Sequence, residues 1–167
     1  MKATTVTVLA MVFALTGLSR GASASLRDLV GVWVGDGTLL TLPERIALPF
    51  QEQLAVQSRR DGHFFWMSTL VLPMGKILIY NFQGQRQAAD SPLFTLFGPY
   101  GESGVLTDFG FGVSSGKWVK GLEGSGSWIT ALASDILSVE YHLSFSSEPA
   151  PYNLMDGTAE LRRASIP

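Results

Sequence analysis

Two histidines, His63 and His142, and no cysteine are the whole stock of soft metal ligands and imidazole bases in this 167-residue chain. Without cysteine, two histidines argue against a structural zinc site, and their separation matches no metal-binding spacing. His142 stands beside Glu140 on a serine-rich polar face and reads as solvated, while His63 opens a strand after a turn. Gly110–Lys117 (GFGVSSGK) glances toward a phosphate loop. That motif needs glycine where Phe111 stands and a hydroxyl where Trp118 stands, and the dinucleotide pattern fails at Ser115. The nucleophile elbow is absent too, because Gly101-Glu102-Ser103-Gly104 has the wrong spacing. Asp36, Glu102, Asp108 and Glu140 carry carboxylates that only folding could bring together. The residues call for no cofactor and no metal, and they support binding ahead of catalysis.

The elements that would position any site begin with a leader. Met1-Lys2 is followed by an apolar run from Val6 to Leu18 and by Ala22-Ser23-Ala24, a small-x-small site. This predicts a signal peptide over residues 1–24, cleaved before Ser25. The run is too short to cross a bilayer core of roughly 30 Å. Export to the periplasm or the medium is therefore expected, with no cysteine available for lipid anchoring. Cleavage removes Lys2 and Arg20 and no acid, so the 12 basic residues become 10 against 14 acidic ones, a formal charge of −4. That acidity argues against nucleic acid or an anionic membrane surface as partner. Residues 25–167 are expected to form a single domain, large enough to hold a core without disulfides.

The region after the leader reads as strands. Phe50, Glu52, Leu54 and Val56 alternate with Gln51, Gln53, Ala55 and Gln57, with Glu52 the one break on the apolar side. Candidate strands follow at 63–72, 76–82, 92–98, 103–112, 117–122, 125–133, 136–146 and 154–163, after one at 29–39. In the strand at 136–146, Leu137, Val139, Tyr141, Leu143 and Phe145 share one face, and Ser138, Glu140, His142 and Ser144 the other. About nine or ten strands at this spacing predict an all-β sandwich or barrel. Glycines crowd the stretch from Gly98 to Gly126, as suits strands that bend sharply to close on themselves. One short helical turn is expected at Ser25–Leu29.

The segment Leu29-Val30-Gly31-Val32-Trp33-Val34-Gly35-Asp36-Gly37 resembles the first strand of the lipocalin-like, or calycin, barrels. Its Gly-x-Trp-x-Gly-x-Gly spacing is closest to the nitrobindin-type branch. The resemblance implies a closed antiparallel up-and-down β-barrel of about eight to ten strands. It also implies that Trp33 closes one end of the barrel against an arginine of the last strand, Arg163 in Ala159-Glu160-Leu161-Arg162-Arg163. The chain departs from that branch at Thr38-Leu39-Leu40. The position matching the branch's haem-ligand histidine falls near Asp156, so haem binding is not carried over.

Such a barrel can hold one small apolar ligand. Trp66, Phe109, Trp118, Trp128, Tyr141 and Phe145 are the candidate lining, though the same residues would also fill a solid core. Residues 64–82 are apolar on both faces: Phe64, Trp66, Leu70 and Leu72 oppose Phe65, Met67 and Val71, and Leu78, Tyr80 and Phe82 oppose Ile77 and Ile79. Something should cover the outer face of this hairpin: the segment 90–102, a second copy of the chain in a homodimer, or a membrane or larger partner. Three functional readings follow. The first is an exported binder of a small apolar ligand. The second is an exported isomerase or hydrolase on the same barrel, which would need two ionisable groups inside. The third is a filled-core domain that dimerises through 64–82.

Overall fold

The computed structural model describes residues 25–59, 62–75, 77–88, 90–107, 112–119, 122–146 and 148–165. The leader expected over 1–24, together with Asp108 and Phe109, lies outside them. For residues 74, 77–80, 112–119 (Trp118 among them), 122 and 123 the description is confined to the backbone.

Ten strands account for most of these residues: β1 (Gly31–Thr41), β2 (Ala47–Ser58), β3 (His63–Val71), β4 (Ile77–Arg86), β5 (Leu93–Phe97), β6 (Ser103–Thr107), β7 (Gly112–Val119), β8 (Leu122–Ala133), β9 (Ile136–Phe145) and β10 (Leu154–Arg163). The N-terminal turn forms at residues 26–29, held by i→i+3 bonds from Asp28, Leu29 and Val30. One 3₁₀ turn, Pro73–Gly75, joins β3 to β4.

All pairings are antiparallel and run between sequence neighbours, except that β1 pairs with both β2 and β10. The result is one strongly curled sheet in the order β1-β10-β9-β8-β7-β6-β5-β4-β3-β2. Even closure is met only in part. On one side β10, β1, β2 and β3 carry long ladders; Trp33–Thr41, for instance, pairs with Met155–Arg163. On the other, β4 meets β5 only through Gln83–Arg86, and β6 meets β7 only through Ser103–Leu106. Pro92 and Pro99 bracket β5 and cannot donate to a ladder, and Gly101 turns the chain with φ of 93°. The wall is thin there for that reason.

Alternation decides which side chains point in. Leu137, Val139, Tyr141, Leu143 and Phe145 of β9 are all buried, as are Phe50, Glu52, Leu54 and Val56 of β2. The core closes around Trp33, Leu39, Leu54, Leu70, Leu96 and Leu161, each with no exposed surface.

Three strand expectations change. The stretch 103–112 is not one strand: β6 ends at Thr107 and β7 begins at Gly112. No break falls at 123–124, because β8 runs through Gly124 and Gly126. Gly124 is not punctuation, for a Cβ there would sit 2.3 Å from the Ser144 carbonyl oxygen across the ladder. Finally, β4 continues past residue 82 to Arg86, passing Gly84 beneath the Phe64 ring, where a Cβ would come within 2.0 Å of ring carbon.

The segment 90–102 does not cover the 64–82 hairpin. It enters the sheet as β5 instead, burying Phe94 and Leu96 in the core. On the outer face of β3, Met67 and Val71 stay 42% and 41% exposed, and the Arg59 guanidinium lies 4.7 Å from the Phe65 ring centroid.

Candidate functional site

The one break in the apolar pattern of β2 becomes the most unusual group inside the molecule. Glu52 faces inward between Phe50 and Leu54 and is only 3% exposed. Its Oε1 accepts hydrogen bonds from the Ser68 hydroxyl of β3 (2.6 Å) and from the Tyr141 hydroxyl of β9. In the sheet β9 and β2 are separated by β10 and β1. The Tyr141 bond therefore crosses the interior and is not a neighbour contact along a wall. Oε2 has no partner.

Desolvation dominates the electrostatics. Burial raises the Glu52 pKa above its ordinary value, because a charge in an apolar interior loses its hydration. The bonds from Ser68 and Tyr141 favour the charged form and oppose the rise without overcoming it. Glu52 thus tends toward the neutral acid. With Oε1 already accepting two hydrogen bonds, the proton belongs on Oε2.

Aromatic rings form the rest of this environment. Trp128 of β8 stacks on Phe82 of β4, with ring centroids 5.7 Å apart and planes 10° from parallel. The Trp66 ring lies 5.9 Å from Trp128. Phe50, two residues before Glu52, meets Tyr141 edge-on at 6.3 Å. Trp128 pairs with Tyr141 in the β8–β9 register, so the two side chains sit next to each other on the inner face. The Trp128 indole Nε1, like Glu52 Oε2, is buried without a partner. Leaving such a group unpaired costs about 1–3 kcal/mol.

Of the residues the sequence singled out as lining, Trp66, Trp128 and Tyr141 gather around Glu52, Ser68 and Phe82. Phe145 is buried four residues along β9 from Tyr141, beside Gly124. Sequence reasoning passed over Glu52 and Ser68. The available signal was a lone carboxylate on the apolar side of an otherwise regular strand.

The remaining candidates lie elsewhere. Glu102 is buried, but in the turn between β5 and β6, where its carboxylate accepts the Tyr100 backbone N–H at 2.8 Å. Asp36 is exposed on β1, and Glu140 is half-buried on the outer face of β9. His63 sits at the start of β3, its Nδ1 3.5 Å from the Gln83 amide. His142 is not merely solvated: its Nδ1 lies 2.7 Å from Asp156 on the outer surface. Asp156 therefore points away from the interior. An open groove of about 520 Å³ runs outside β1 and β10, between Asp36, Thr38, Thr158 and Glu160, far from the aromatic interior.

At one end, the fully buried Trp33 ring lies 4.4 Å from the Arg163 guanidinium. Its Nε1 donates to the Leu29 carbonyl at 2.9 Å, and Arg163 donates to the carbonyls of Val30 and Asp28. The N-terminal turn is thereby tied to both terminal strands. Gly35, on the same strand, lets β10 approach closely: a Cβ would fall 2.0 Å from the Glu160 carbonyl oxygen.

No protein-family model and no curated protein matches the chain. Solved structures do. Rv2717c from M. tuberculosis is similar over 82% of this chain and 93% of its own, with a TM-score of 0.54 at 16% identity. The S-type phycobiliprotein lyase CPES from Guillardia theta is similar over 86% and 94%, with a TM-score of 0.54 at 8% identity. A protein of unknown function from the DUF3598 family of Nostoc punctiforme has a TM-score of 0.52 at 13% identity, over 83% of this chain and 49% of its own. At these identities the likeness is one of fold: a curled antiparallel β architecture that unrelated sequences share.

Proposed function

We propose that this chain is an exported, calycin-like β-barrel that holds a small, mostly apolar ligand in its interior. The observation that carries the reading is Glu52, a buried carboxyl with one oxygen unpartnered amid stacked aromatic rings. A fold needing only stability would be better served there by an apolar residue, since a half-satisfied buried polar group costs free energy. The surrounding rings of Trp66, Phe82 and Trp128 supply the apolar, flat surfaces of a small-molecule site. Export rests on the leader-like composition of residues 1–24.

The test is native mass spectrometry of residues 25–167, purified from an exporting host without detergent. A co-purified small molecule at one per chain, lost on Glu52→Leu substitution, supports the reading. A chain that is folded, empty and takes up no apolar probe refutes it.

A second reading is an enzyme on the same barrel, favoured by the hydrogen bond that joins two ionisable groups, Glu52 and Tyr141, inside. A neutral carboxyl can serve as a general acid. Under this reading, Glu52→Gln keeps binding and abolishes turnover of the bound molecule. Homodimerisation through 64–82 is supported by the exposure of Met67 and Val71. A monomer in the same mass spectrum would dismiss it.

A further inference from the structure

Among the described residues, Glu52 and Trp128 share one property: each holds a buried polar atom with nothing to bond. Indole Nε1 can only donate. The carboxyl has Oε1 occupied by the Ser68 and Tyr141 hydroxyls, and among the described residues no cation faces it. Burial there favours the protonated form, in which Oε2 is a second donor. The two donors are joined through one residue: Trp128 is the register partner of Tyr141, whose hydroxyl bonds Glu52.

We propose that Glu52 and Trp128 recognise a hydrogen-bond acceptor, a neutral carbonyl or ether oxygen, on an otherwise apolar aromatic ligand. The proposal rests on the interior-ligand reading above and gives its polar chemistry. An anionic ligand would bring an uncompensated charge into the same surroundings. A purely hydrocarbon ligand would leave both donors unpaired. A ligand carrying an oxygen acceptor satisfies them, and the stacked rings of Phe82 and Trp128 offer its ring system a parallel face.

Matched probes separate this inference from the reading it rests on. Acetophenone and acetylnaphthalene carry a ketone where α-methylstyrene and isopropenylnaphthalene carry a methylene of nearly the same shape. Naphthylethylammonium replaces the acceptor with a cationic donor. Binding is followed by calorimetry and by tryptophan fluorescence on the folded chain, residues 25–167. The ketone should bind about tenfold or more tighter than its hydrocarbon twin, the size of one hydrogen bond to a buried donor. Trp128→Phe keeps an aromatic ring while removing the N–H, and Glu52→Leu removes the acid; each should shrink the ketone preference. Glu52→Gln, which retains an N–H donor, should preserve most of it.

Equal binding of ketone and hydrocarbon overturns the inference and leaves an apolar interior site standing. Tighter binding of the ammonium overturns it in favour of an ionised Glu52. Binding of none of the probes overturns the inference together with the ligand-binding reading.

Discussion

Replacing Glu52 with glutamine should change how stability depends on pH, in a direction the structure fixes. Glutamine keeps the shape and the hydrogen-bonding carbonyl but never ionises. In the folded chain the Glu52 pKa is raised above its ordinary value of 4.5 by burial. In the unfolded chain it reverts to that value. Below 4.5 the acid is protonated in both states and contributes no pH dependence. Above 4.5 the unfolded chain releases the proton while the folded chain holds it, so the folded state binds more protons and stability falls as pH rises.

The slope of that fall approaches about 1.4 kcal/mol per pH unit inside the window and vanishes once the folded carboxyl also ionises. Urea unfolding of the wild type and of Glu52→Gln, in half-unit steps, gives the difference directly. The rest of the chain is common to both proteins and cancels in the difference. The difference should be flat under pH 4.5, grow in favour of glutamine above it, and level off at the folded pKa. A difference independent of pH would show that Glu52 is not desolvated in the folded chain, and the argument for a neutral donor would go with it.

Other outcomes are equally direct. The Trp33–Arg163 contact should give a coupling of about 0.5–1 kcal/mol in a double-mutant cycle with Trp33→Phe and Arg163→Met, read by chemical denaturation. Gly84→Ala should destabilise by about 1–3 kcal/mol, because the new methyl collides with the Phe64 ring, and a thermal melt would report it. Trp128→Ala, which removes a buried ring stacked on Phe82, should cost about 3–5 kcal/mol. By contrast Asp156→Asn, at an ion pair whose side chains are 60% and 47% exposed, should move stability by less than about 1 kcal/mol.

The fold was legible where one face of a strand is wet. β9 follows from strict alternation, and β10 has the bounds expected for it. Legibility failed where glycine carries two meanings. Gly84 lies beyond the strand expected at 76–82 and Gly124 between those expected at 117–122 and 125–133, yet both lie inside strands, where a ring or a neighbouring carbonyl stands in the place of a side chain. The pairing of Trp33 with Arg163 was suggested by a resemblance, and the register then sets them opposite one another. The site was half visible. Trp66, Trp128 and Tyr141 stand out by type, but nothing local links Glu52 to Tyr141, 89 residues away. Only curling the sheet brings them face to face.

That β1 meets β10 has a consequence for how the chain can be rewired. Every other ladder joins strands adjacent in sequence and forms as a hairpin, with little loop entropy to overcome. The β1–β10 ladder alone must bring residues more than a hundred positions apart together, as in Trp33 with Arg163. Joining the segment after β10 to the turn before β1 would make that seam a hairpin too. New ends could then be cut in the thin stretch between β5 and β6, whose ladders are short. Such a circular permutant would keep every contact around Glu52 while exchanging its most distant pairing for a short one, and its folding rate would report which seam of the curled sheet forms last.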